Sequence, residues 1–354
     1  KSGVKWVSKK NNTDRMYPIS DRIQERKGRY IMESYEFLLF LAIILFATKI
    51  CGLFSRKFHM PQVVGALLAG VILGPSVLNL ISFDGATGSY LEITAEIGVI
   101  LLMFSAGLET DLTELKENGV ASFITAGIGV LVPLFGGFLS YALYFHTDFG
   151  DFMEVLKAVF VGVVLTATSV SITVETLREL GKLKGRVGTT ILGAAVIDDI
   201  MGIIVLTVVT SIEDTSVNPF TVLLKIVLYF IVIAIVAFVM FKCKKLIEGA
   251  GEKRRVTIFA IAFCFLLSYV SEQFFGIADI TGAYFAGLML CNMKIGDYIK
   301  ARAEVPSYLL FSPVFFASIG IKTQLEGMNG KLIGFCVILL VVAILTKVVG
   351  CGLG

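Results

Sequence analysis

Charge is what this 354-residue sequence is shortest of: Asp, Glu, Lys and Arg make up 17% of it, against 56% hydrophobic residues. With a mean hydropathy of +0.84, that balance excludes a soluble globular chain. Long polar connections are missing too, so no segment between the apolar runs could house a folded soluble domain. The six cysteines (Cys51, Cys243, Cys264, Cys291, Cys336 and Cys351) show no CxxC spacing, which favours free thiols over disulfides or metal ligands. The two histidines, His59 and His146, form no metal or nucleophile constellation. Patterns of the GxxxxGK[ST], GxGxxG and GxSxG types are absent, so nothing supports ATP-driven pumping, hydrolase chemistry or a bound cofactor.

What is present is a series of apolar runs at about 36–55, 62–81, 90–108, 119–145, 155–177, 186–212, 219–242, 255–275, 277–292, 307–321 and 331–354. These predict eleven spans of an all-α, multi-pass membrane protein, a single helical bundle in the lipid bilayer. Lys and Arg fall mainly in the odd-numbered connections, sixteen against two (Lys322 and Lys331). That bias predicts odd connections in the cytoplasm and the start of the first span outside, in a cell membrane.

The orientation sits badly with residues 1–31, which hold nine basic and three acidic side chains. Met32 reads as the natural start, with 1–31 a non-native or disordered basic tail and 32–354 the membrane domain; the alternative is a basic arm lying on an anionic membrane surface. Without the tail's +6, the formal net charge of +3 becomes −3, and no nucleic-acid partner is implied.

An internal repeat runs through the chain. "GALLAGVIL" (65–73) recurs as "GAYFAGLML" (282–290), and "SAGLETDL" (105–112) as "SIGIKTQL" (318–325), at offsets of 217 and 213 residues. The second and ninth spans are seven apart, an odd number, so the copies run in opposite directions through the membrane. Inverted repeats of this kind build many secondary transporters, with the substrate site near the midplane beside broken helices. The offset places second copies of Thr166–Ser171 and of the aspartate pair described next beyond Gly354, so a C-terminally truncated chain is expected.

The chemistry concentrates in "ILGAAVIDDIMGIIVL" (191–206). One aspartate at a bilayer centre costs about 2.5–3.5 kcal/mol on insertion scales, so Asp198 beside Asp199 demands a reason. A proton or a small cation could neutralise the same carboxylate, which makes the two ligands compete; the bland alternative is an ion pair that merely holds helices together. Neighbours on a helix point about 100° apart, so the two can have different roles. Lys347, the deep cation of the last span, needs a partner and is assigned to Asp198, unless it snorkels to an interface. "LTATSVSIT" gathers Thr166, Thr168, Ser169, Ser171 and Thr173, whose hydroxyls could ligate a partly dehydrated alkali cation if the helix is interrupted there, or could bond back to its carbonyls. Lys49, Glu96 and Glu175 lie toward span ends and read as interface anchors.

On these residues the chain resembles the monovalent cation:proton antiporter-2 family, and within it the NapA-like sodium/proton antiporters. The matching stretches are 60–78, 95–112, 168–206 and 309–325, together with Lys347. The resemblance implies a homodimer of thirteen-helix protomers, of which about eleven helices are present, with two crossing broken helices. It implies Asp199 as the carboxylate binding Na⁺ or H⁺, Asp198 as its neighbour, Lys347 as the ion-pair partner and Thr168–Ser169 as the first helix break. It further implies electrogenic exchange, at about 2.3 kcal/mol per net charge per 100 mV. Potassium-exporting relatives carry Gln-Asp at the pair and a nucleotide-binding domain, and neither is found here. Na⁺/H⁺ antiport is the expectation and K⁺/H⁺ antiport the alternative, with a cation channel as the reading from a different class. An intramembrane aspartyl protease would need its aspartates on facing helices, so a transporter rather than an enzyme is expected.

Overall fold

The computed structural model describes residues 19–83, 85–213, 218–249, 251–325 and 327–353, with the backbone alone at 19–34, 86, 213 and 353. Residues 1–18 of the basic tail lie outside the described residues, and 19–31 open the first helix. Every regular element among the described residues is helical. They are α1 (Ile19–Lys57), α2 (Gln62–Leu73), α3 (Gly85–Glu109), α4 (Leu112–Glu117), α5 (Gly119–Phe145), α6 (Phe152–Thr166) and α7 (Val170–Glu179), then α8 (Arg186–Glu213), α9 (Pro219–Gly249), α10 (Arg254–Phe275), α11 (Asp279–Leu290), α12 (Gly296–Pro306), α13 (Ser312–Ile321) and α14 (Gly330–Leu353). A π-helical turn, Ser307–Phe311, joins α12 to α13 without a break.

Among the described residues, nine helical stretches are long and apolar enough to cross a membrane. Two of the eleven expected spans are therefore corrected. The second, expected over 62–81, is helical only over α2, and the ninth, expected over 277–292, only over α11. Twelve residues rise about 18 Å, short of a bilayer core of about 30 Å. α2 stops because Gly74 is extended (φ −74°, ψ 179°) and Pro75 follows it, removing an N–H that the next turn would use. α11 cannot begin earlier, because Ala278 is extended (φ −47°, ψ 134°). The tenth span is longer than expected, running from Gly296 to Ile321, so Lys300 and Arg302 stand on a helix and not in a connection.

The two short helices occupy matching places in the repeat, and matching glycines seat them. A Cβ on Gly70 of α2 would lie 2.1 Å from Ala317 O, and one on Gly320 of α13 would lie 2.3 Å from Leu67 O. In the other copy, a Cβ on Gly287 of α11 would lie 2.2 Å from Phe104 O, and one on Gly107 of α3 would lie 2.2 Å from Tyr284 O. Each copy's short helix thus packs on the other copy's serine-glycine motif, backbone to backbone, where only glycine fits.

The chain forms two compact units. One comprises the residues up to Glu96 with Pro313–Gln324; its core gathers Ile44, Leu73, Ile81, Leu91, Val314 and Ile321. The other comprises Ile97–Ser312 and Leu325–Gly354, and within it α5 packs against α6, α8 and α14. Small residues close these contacts: a Cβ on Gly162 of α6 would lie 2.3 Å from Leu134 O of α5, and one on Gly136 of α5 2.5 Å from Thr346 Cγ2 of α14. Large apolar side chains such as Phe220, Phe241 and Leu246 of α9 point outward, as they do where the solvent is lipid and not water.

Candidate ion-binding site

The fifth span is interrupted where the sequence is richest in hydroxyls. α6 ends at Thr166, Ala167 is extended (φ −62°, ψ 123°), and α7 begins after an extended Ser169 (φ −72°, ψ 107°). No glycine or proline forces this break. Hydroxyls maintain it by taking up backbone groups that lose their helical partners. Ser169 Oγ accepts from Ile172 N at 3.3 Å, Thr168 Oγ1 donates to Thr166 O at 3.2 Å and Thr173 Oγ1 donates to Ser169 O at 3.0 Å. Thr166, itself buried, donates back to Val163 O at 2.7 Å. Each donating hydroxyl keeps lone pairs that could face a cation. Carbonyls at the end of α6 and N–H groups at the start of α7 put opposite partial charges at this gap.

Lys347 of α14 reaches the negative side of the gap. Its Nζ donates to Thr166 O at 2.9 Å and lies 3.5 Å from Asp198 Oδ2. One ammonium therefore serves a freed helix carbonyl and a carboxylate together, and it brings the break and the aspartate pair into one locus. Asp198 is buried on the unbroken α8, and its Oδ1 has no hydrogen-bond partner among the described residues. Asp199, half-buried on the same turn, makes no hydrogen bond or ion pair with any described residue. The pair is thus divided: one carboxylate is held by the resident cation, and the other has no fixed countercharge among the described residues.

Removing Lys347 should show this division. Lys347→Met leaves Asp198 buried without its cation, and breaking a buried pair from one side costs about 3–5 kcal/mol. With Lys347 about a quarter exposed, the lower end of that range is expected. Asp198→Asn added to Lys347→Met should recover most of the loss, read as the midpoint of thermal unfolding in detergent. A double variant no more stable than Lys347→Met alone would contradict the pairing.

A second group of charges lies where hydropathy gave no hint of it. Arg178 of α7 is 3.2 Å from Glu175 and 3.6 Å from Glu109 of α3, and Lys300 of α12 is 3.3 Å from Glu109. The two carboxylate side chains are only 5–6% exposed. Glu175 is therefore a buried member of an ion cluster and not the interface anchor expected of it; a span-end position in sequence does not tell which way the side chain points. A signal did exist in the repeat, because Glu109 is matched in the second copy by a residue of opposite charge, Lys322. Lys322 pairs with Glu92 at 2.5 Å where both are half-exposed, a setting in which ion pairs are worth little. Of the other expected anchors, Lys49 and Glu96 are exposed.

The family model described as "Sodium/hydrogen exchanger, transmembrane" matches residues 41–354. The chain is similar to the probable Na(+)/H(+) antiporter GerT of Bacillus cereus, 40% identical across 89% of this chain and 81% of that one. It is also similar to the Na(+)/H(+)-K(+) antiporter GerN of the same organism, 39% identical across 90% and 80%. Among solved structures, the sodium proton antiporter MjNhaP1 of Methanocaldococcus jannaschii matches with a TM-score of 0.64 over 90% of this chain and 78% of that one. At 20% identity, that likeness speaks to the fold alone.

Proposed function

This chain belongs to the sodium/hydrogen exchanger family of transmembrane proteins, and on that premise we propose that it is a secondary antiporter exchanging Na⁺ for H⁺, with both ions competing for Asp199. The observation that carries the reading is the divided aspartate pair. Lys347 supplies a positive charge to Asp198, while Asp199 has no cation of its own among the described residues and is half-buried. A carboxylate in that position is neutralised by whichever small cation arrives, a proton or an alkali ion. Binding one displaces the other, and only the neutralised site crosses between the two sides of the membrane. Each gradient then drives the other by population shift of two access states. No substrate is chemically converted; ions are carried.

The finer assignment within the family, to the NapA-like branch, is supported by the aspartate pair and the intramembrane lysine. In this reading the protein works as a homodimer in the cell membrane, with the odd connections in the cytoplasm. Thr168 and Ser169 at the helix break supply neutral oxygen ligands to the alkali ion held by Asp199, with Asp198 alongside. K⁺/H⁺ exchange is a second reading, favoured by the name of the relative 39% identical to this chain, which includes potassium.

Competition gives the test. In proteoliposomes, the Na⁺ concentration for half-maximal proton flux should rise as pH falls, approaching ten-fold per unit once Asp199 is largely protonated. A half-saturating concentration that ignores pH would defeat shared binding. Equal flux with K⁺ at every pH would favour the second reading, and flux insensitive to an opposing proton gradient would indicate a channel.

A further inference from the structure

A cleft of about 320 Å³ lies among α9, α10, α11 and α12, well away in sequence from the residues assigned to ion exchange. Met240, Ile247, Phe259, Phe263, Leu290 and Ile299 line it, and every side chain in its wall is apolar. Phe259 is 73% exposed, so the cleft opens along the outer face of α10. Water gains nothing in such a space, because it finds no polar partners there.

The chain beside the cleft is predominantly basic. From Lys242 to Arg255 there are six basic residues and two acidic ones, Glu248 and Glu252. Glu248 is already engaged, 3.9 Å from Lys244 Nζ and accepting from Lys294 N at 3.0 Å. Lys244 in turn donates to Asn292 O at 3.0 Å, tying the end of α9 to the α11–α12 connection. Lys245, Lys253, Arg254 and Arg255 remain exposed, with no ion-pair partner among the described residues. Helical spacing puts Arg255 beside the cleft, one turn before Phe259, and Lys253 and Arg254 directly precede it at the start of α10. α10 also starts without an acidic residue in its first turn or a side-chain cap on its N–H groups, which adds to the positive potential there. By the bias of Lys and Arg this end faces the cytoplasm, the side on which anionic lipids gather.

We propose that this cleft is a binding site for an anionic phospholipid, with an acyl chain between α9 and α10 and the phosphate among Lys253, Arg254 and Arg255. A zwitterionic lipid could fill the apolar part equally well; the unpaired basic rim is what selects net negative charge. The site is independent of the transport reading and would exist whichever ion is carried.

Native mass spectrometry of the whole chain in detergent, given phosphatidylglycerol or phosphatidylcholine with identical acyl chains, tests it. Each basic group near the lipid surface is worth about five-fold in binding, so about ten-fold or greater retention of phosphatidylglycerol is expected. Lys253→Gln with Arg254→Gln and Arg255→Gln should bring the two lipids level, and because these side chains are exposed the fold should survive. Ala260→Leu, which narrows the cleft from its buried wall, should weaken retention of both lipids; if that variant does not fold, the triple variant still decides. Equal retention of the two lipids by the unaltered chain overturns the proposal, as does a preference that persists in the triple variant. A lipid-free dimer that Ala260→Leu disperses would overturn it in favour of a second copy of the chain on this face.

Discussion

Asp199→Asn should reduce sodium-dependent proton flux in proteoliposomes to background while leaving thermal stability in detergent unchanged or slightly raised. The amide keeps the carboxylate's shape but neither takes up a proton nor carries the negative charge that draws Na⁺ out of water. The proposed sharing of one group by both ions makes the expected loss complete; a protein with separate sites would keep half of the cycle. Stability does not fall, because Asp199 makes no hydrogen bond or ion pair with any described residue that the substitution could break, and a half-buried charge is removed. Asp198→Asn is the contrasting case, since it strands Lys347 and should cost stability as well as transport. Sodium-driven proton movement that survives in Asp199→Asn would end the assignment, whatever the behaviour of its neighbour.

Arg178→Ala should be among the most destabilising single substitutions in the protein. Its guanidinium stands between Glu175 and Glu109, both almost wholly enclosed. Without it, two buried carboxylates share one ammonium, Lys300, which lies 3.3 Å from Glu109 and reaches only that one of the pair. Breaking a buried ion pair by deleting one partner costs about 3–5 kcal/mol, because the survivor is left charged and unsolvated. Arg178→Lys should recover little, since an ammonium cannot present two forks to two carboxylates. Glu175→Gln in the Arg178→Ala background removes one stranded charge and should restore a large part of the loss. A fall below about 1 kcal/mol in Arg178→Ala, measured by denaturation in detergent micelles, would mean that water reaches the cluster and screens it.

How much of this could be read from the chain depends on which force left a mark on residue identity. Charges are costly in lipid, so Asp198, Asp199 and Lys347 stand out from their apolar surroundings, and a Lys–Asp pair follows from the need of each for a partner, whereas the choice of Asp198 over Asp199 matched what the resemblance implied. The hydroxyl cluster around Thr166–Thr173 fitted an interrupted helix and an intact one alike, and only the family resemblance implied a break there; which hydroxyls would hold the backbone was not legible. Lys347's second bond, to Thr166 O, could not be anticipated, since a carbonyl becomes available only once the helix stops. The short α2 and α11 escaped because hydropathy measures composition and not backbone direction: residues 74–81 still hold Val77, Leu78, Leu80 and Ile81, and Gly74–Pro75 was the overlooked mark. Glu109, Glu175, Arg178 and Lys300 come from three helices as much as 191 positions apart, and no local pattern reports that they meet.

The glycine contacts that interlock the two copies also set a timetable for synthesis. Gly107 meets a helix whose own glycine, Gly287, is made 180 residues later, and Gly70 waits 250 residues for Gly320. At about 5–20 residues per second on the ribosome, the first copy stands in the membrane for roughly 10–50 s with its narrowest surfaces unmated. Neither copy can complete its packing alone, and the nascent first half is the stage at which this protein is most open to capture by insertion chaperones or membrane proteases.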